Sequence, residues 1–105
     1  MEQCRAKLEL SKPKRVRLKG KALRDLNNAI HERDLDCCIN CGSWVDRGVK
    51  FHHERAGLKS DVIEECVTLC PKCHFKRHHT GEAKQISKRC RKYLIELYGE
   101  DRWND

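Results

Sequence analysis

The sequence predicts a small α+β domain in which a bound metal, rather than disulfides or a large core, holds the chain together. Three observations predict it. The chain has 105 residues, of which 38% are apolar and 37% charged, enough for one domain with one modest core. A core of that size usually needs a staple. Eight cysteines are present, and four of them form two Cys-x2-Cys pairs. Helical periodicity at both ends brackets a short run that alternates like a strand.

The elements follow in chain order. Residues 1–19 read as a flexible basic arm, polar and broken by Pro13, with no sustained period. From Lys21 to about Asp34, Ala22, Leu23, Leu26, Ala29 and Ile30 recur at three- and four-residue spacing and predict an amphipathic helix. His31 lies on this helix and reads as an ordinary helix residue. A cysteine-rich turn with Gly42 occupies Leu35–Trp44. After the turn signal Asp46-Arg47-Gly48, the run Val49–His53 predicts a short strand. Arg55–Glu65 reads as a loop. Pro71 suits the first turn of a short helix over about Lys72–His79. A last helix, about Glu82–Tyr98, presents Ile86, Cys90, Tyr93, Leu94 and Leu97 on one face and stops at Gly99.

The net charge of +7 is unevenly placed. Residues 1–20 carry seven Lys and Arg against two Glu, and residues 74–92 carry seven against one. Two basic blocks on so small a protein point to a polyanion, whose neutralised phosphates release counterions; a merely solvated surface would read the same way. No apolar run approaches the roughly 18 residues of a membrane span, and nothing resembles a signal peptide. The expected location is the cytoplasm, where thiols stay reduced and available to metal.

Cys38-Ile-Asn-Cys41 and Cys70-Pro-Lys-Cys73 are separated by 28 residues. A Cys-x2-Cys turn aims two thiolates at one ion, and two such turns complete the tetrahedral shell of a structural Zn2+. Cys37 could replace Cys38, at a less favourable spacing. Cys66 and Cys90 read as small core residues, and Cys4 has no partner.

Five of the six histidines gather near these pairs: His52, His53, His74, His78 and His79. On a helix, His74 and His78 stand at i and i+4 and can grip one cation. On a strand, His52 and His53 point to opposite sides, so one can face a metal while the other faces a different group.

These residues carry a resemblance. The stretch Arg33–Gly42, then Phe51-His52-His53, then Val67–His74 with His78 beyond it, resembles the HNH endonucleases over about residues 30–80. The flanks are similar to the variable ones of small phage-encoded members. The resemblance implies a ββα-metal core. It implies His52, His74 and His78 as ligands of a catalytic divalent ion (Mg2+, Mn2+, Ni2+ or Zn2+) and His53 as general base. The family's middle residue is usually Asn, five residues before the third cysteine; here that position is Glu65, whose carboxylate could accept a bond from the base's far ring N–H.

The chemistry is consistent with these residues. Hydrolysing a phosphodiester needs a base for water, which His53 can be, and a Lewis acid on the phosphate. Arg55, Lys76 and Arg77 flank the histidines and could hold neighbouring phosphates. The expectation is therefore a double-stranded DNA endonuclease with one structural Zn2+ and one catalytic divalent metal, occupying residues 20–105 behind the basic arm. The alternative is a non-catalytic zinc-knuckle nucleic-acid-binding protein derived from the same fold.

Overall fold

Helix α1 spans Gly20–Arg33, one residue earlier at each end than the apolar period suggests. Of its apolar stripe only Ile30 is fully buried, with Leu23 and Leu26 packed beside it. The computed structural model describes residues 15–55 and 59–103, without the side chain of Arg102. The predicted helices and strand all lie within that range, whereas Cys4 and most of the basic arm lie outside it.

The chain continues through the cysteine turn to strand β1 (His52–His53), a 3-10 turn at Ile63–Glu65 and strand β2 (Cys66–Val67). Helix α2 (Pro71–His79) and helix α3 (Ala83–Tyr98) follow. β1 and β2 pair antiparallel, His52 opposite Val67 and His53 opposite Cys66. The result is a mixed α+β fold, as expected, in which two strands and α2 follow one another directly.

The expected strand Val49–His53 shortens to two residues for a specific reason. The Val49 carbonyl meets His31 Nε2 at 2.8 Å, and the Phe51 N–H donates to Asn27 Oδ1 at 2.9 Å. Side chains of α1 therefore take the backbone groups that a partner strand would have taken. His31, only 1% exposed, is a connector between α1 and this segment. β2 falls immediately after the expected loop and owes its existence to pairing with β1.

Two small apolar clusters flank the strand pair. Val67, Leu69, Ile86, Cys90 and Leu94 form the larger, together with Cys38 and Cys73. Ile30, Phe51 and Cys66 form the other. Successive strand residues point to opposite faces, so Cys66 and Val67 serve different clusters. Cys66 and Cys90 are both fully buried, as small core residues. α3 buries Ile86, Cys90 and Leu94, half-buries Tyr93 and leaves Leu97 half-exposed.

A polar network joins the end of α1 to β2 and α3. Buried Asp34 accepts from Arg33 Nε at 2.7 Å, from the Thr68 N–H at 2.8 Å and from the Tyr93 hydroxyl at 2.6 Å. Arg33 also donates to the carbonyls of Ile63 and Cys66. Removing one partner of such a set strands the others without water. Asp34→Ala is expected to cost about 3–5 kcal/mol in urea unfolding, whereas Lys21→Ala on the exposed face of α1 stays within about 0.5 kcal/mol. Equal losses would mean that the network contributes nothing specific.

Residues 15–18 lie along residues 59–61. The Val16 N–H donates to Ser60 Oγ, the Asp61 N–H to the Val16 carbonyl, and the Leu18 N–H to Asp61 Oδ2. This part of the expected arm is therefore docked. Among the described residues, no helix is long and apolar enough to cross a membrane.

Candidate metal centres and active site

The cysteine cluster is assembled by local backbone geometry. Cys70 is the N-cap of α2, its Sγ accepting the Cys73 N–H at 3.4 Å, with Pro71 behind it in the first turn. The first pair mirrors this, Cys38 Sγ accepting the Cys41 N–H at 3.5 Å. Each Cys-x2-Cys turn thus folds its two sulfurs to one side, and the four Sγ atoms lie within 4.8 Å of one another. None of the four is in a disulfide. Four sulfurs about 2.3 Å from one tetrahedral ion stand about 3.8 Å apart, and Cys41 Sγ lies 3.8 Å from Cys70 Sγ.

The four thiols respond unequally to their surroundings. Burial pushes the Cys73 thiol up to about 12 and the Cys38 thiol above its ordinary value. The exposed Cys41 is held down at about 6, chiefly by the Ser43 hydroxyl. Crowded, partly buried thiolates need positive charge, which a divalent ion supplies. Asn40 Nδ2 adds a donor to Cys73 Sγ at 3.3 Å. The four cysteines are compatible with a structural zinc site, and Cys37 stands outside the group.

A second group forms across β1 and α2. His52, His74 and His78 each offer a ring nitrogen, all within 4.8 Å of one another. The ring centroids lie 5.0 Å apart for His52–His74, 5.4 Å for His52–His78 and 4.8 Å for His74–His78, all edge to face. Burial pushes His74 down to about 4, helped by His52 and His78, and burial also lowers His78. Both rings are thus neutral near pH 7, the form that binds a cation. Three ligands leave coordination positions open, as a reactive metal requires.

This group opens on a cleft of about 740 Å3, lined also by Lys50, His53, Lys59 and His79. His53 Nε2 is 2.7 Å from Asp61 Oδ1. A carboxylate only accepts, so Nε2 carries the proton and Nδ1 keeps its lone pair. Burial lowers the pKa of His53, with Asp61 acting in the opposite direction. His53 is therefore a neutral, oriented imidazole beside three candidate metal ligands.

No family model matches the chain, and no curated protein matches it either.

The structure brings together all four cysteines of the two pairs and, in one cleft, His52, His53, His74 and His78, with His79 also on its wall. The remaining candidates lie elsewhere. The position at His53 expected of Glu65 is taken by Asp61; the buried Glu65 carboxylate lies 3.7 Å from Arg55 Nε. Arg55 also stacks over Trp103 at 5.2 Å. Lys76 is 3.7 Å from Glu82, and Arg77 turns inward to Glu54, Nη2 to Oε2 at 3.3 Å. Among the described residues, the cations that border the cleft are Lys50 and Lys59.

Sequence reasoning missed Asp61 and Glu54. Asp61 reaches His53 from a loop whose course is set by the docked residues 15–18, and no period encodes that. Glu54 did carry a signal: on a strand, i and i+2 share a face, which puts it beside His52. It is completely buried, and its Oε1 lies 3.1 Å from His52 Nε2. Burial alone would raise the Glu54 carboxyl, but hydrogen bonds from His52, Ser87 and Arg77 hold it below its ordinary value.

Proposed function

We propose that this chain is a metal-dependent DNA endonuclease of the HNH, ββα-metal type. The observation that carries the reading is the convergence in one cleft of three candidate ligands, His52, His74 and His78, with another histidine held by a carboxylate. The order strand, strand, helix around a cysteine cluster supports the same reading.

His52, His74 and His78 would hold one divalent cation, and Cys38, Cys41, Cys70 and Cys73 a structural zinc. The cation supplies Lewis-acid stabilisation of the charge that develops on the scissile phosphate and the leaving oxygen. His53 Nδ1 takes the proton of the attacking water, and Asp61 stabilises the imidazolium that results. Lys50 and Lys59, at the cleft wall, meet the flanking phosphates and fix the strand for attack.

A nucleic-acid substrate is also supported by α3. Lys84, Lys88 and Arg91 line a groove of about 550 Å3, and among the described residues no carboxylate lines it. Such a row follows a phosphate backbone without reading bases.

The deciding experiment is relaxation of supercoiled plasmid by the zinc-loaded protein with Mg2+, Mn2+, Ni2+, Co2+ or added Zn2+. Nicked or linear product with at least one of them, abolished by chelation, is expected. Salt-sensitive DNA binding without cleavage under any of them would replace the enzyme with a non-catalytic binding module.

A further inference from the structure

The buried carboxylate behind His52 serves no purpose in the core that an apolar side chain would not serve better. Taking a carboxylate out of water costs several kcal/mol even after relaxation, and a chain this small has little stability to spare. Glu54 is nonetheless 0% exposed. Its Oε1 faces His52 Nε2 at 3.1 Å and Arg77 Nε at 3.5 Å. Its Oε2 accepts from Arg77 Nη2 at 3.3 Å and, in a short contact, from the Ser87 hydroxyl. Glu54 is also clamped through its backbone, its N–H donating to the Glu65 carbonyl at 2.9 Å. Three side chains from three elements, through four hydrogen bonds, thus fix one carboxylate.

We infer that Glu54 is a positioning residue for the cation site, fixing the tautomer and direction of the His52 ring, with Arg77 and Ser87 holding it in place from α2 and α3. An ionised carboxylate cannot donate, so the hydrogen bond requires the proton on His52 Nε2. The lone pair is then on Nδ1, the ring atom left for a cation. A neutral imidazole could otherwise place its proton on either nitrogen, and in half of the arrangements the ligand atom would be blocked. Carboxylates behind metal-bound histidines act in this way and raise the basicity of the ring. Glu54 is itself outside the group of convergent ligand atoms, so it acts through His52 and not on the cation.

The network also accounts for Arg77. Its guanidinium balances the buried carboxylate, which explains why Arg77, between His74 and His78 in sequence, turns inward to Glu54. Ser87 brings α3 into the same arrangement, making the last helix a strut for the first ligand.

This inference rests on the cation site proposed above, and its test separates the two. Untagged, zinc-loaded full chain is titrated with Ni2+ by calorimetry, zinc retention being checked by elemental analysis. His52→Ala, which deletes a ligand, marks the loss due to the site itself. Glu54→Gln is expected to weaken Ni2+ binding about 10- to 100-fold, and Ser87→Ala less, with zinc content unchanged. In parallel, ring 15N shifts of His52 in the Ni2+-free wild type report the tautomer directly, and the Nε2–H form is expected. Ni2+ affinity lost in His52→Ala but unchanged in Glu54→Gln would overturn the role of Glu54 and keep the site. An Nδ1–H tautomer at His52 would overturn it even if Glu54→Gln failed to fold. Wild type that binds no Ni2+ would remove both the site and the inference.

Discussion

Chelating the metal from the cysteine cluster is expected to unfold the domain. Apparent binding free energies of structural zinc are about 10–16 kcal/mol at neutral pH, comparable with or larger than the entire stability of a small domain, about 5–15 kcal/mol. The larger apolar cluster includes Cys38 and Cys73 themselves, so an ion held by these cysteines and the core would form one unit. Without the ion, Cys38 and Cys73 must hold buried protons beside the other two sulfurs, and the tie across 28 residues is lost. Far-ultraviolet circular dichroism during titration with a strong chelator checks this, with one zinc per chain found beforehand by elemental analysis. Cys73→Ser gives the same collapse without chelator, since the alcohol stays protonated and binds zinc poorly. A cooperative melt that is unchanged in chelator would show that the cysteines are only core residues.

His53→Ala is expected to lower cleavage by about 10²- to 10⁴-fold, the usual worth of a general base. Ni2+ affinity and plasmid binding stay near wild type, because His53 is outside the group of three ligands. His74→Ala differs in kind: cation affinity falls, and excess metal partly restores the rate. Asp61→Ala takes away the carboxylate 2.7 Å from His53 Nε2 and lowers the rate about 10- to 100-fold. Single-turnover cleavage at saturating DNA and metal separates these cases. An undiminished rate in His53→Ala would assign the base elsewhere.

Much of this arrangement was legible in the residue pattern because the chemistry depends on local spacing. Cys-x2-Cys turns fold their sulfurs together by their own N–H···S bonds, and His74 and His78 share a helix face by the 3.6-residue repeat. Both signals survive without knowledge of the fold. The helices were legible for the same reason, to within a residue or so at each end. The parts that were not legible depend on tertiary contacts. β2 is two residues long and is specified by β1, and β1 itself is cut short by Asn27 and His31 from α1. The carboxylate behind His53 comes from Asp61, eight residues along and directed by a separate segment. Tertiary contacts also engage the basic residues nearest the histidines in sequence: Arg77 is committed to Glu54, and Arg55 lies beside Glu65 and Trp103.

The docking of residues 15–18 bears on how short a working version of this protein can be. Both oxygens of Asp61 are engaged, Oδ1 by His53 and Oδ2 by the Leu18 amide, and the Asp61 amide is tied to Val16. A fragment trimmed to begin at α1 retains every cysteine and histidine of the two clusters. It loses the anchor that keeps Asp61 aimed at His53. On the proposed reading, such a minimal version would hold both metals and bind DNA yet turn over slowly, so the boundary of the folded unit and that of an efficient enzyme would differ by a few residues.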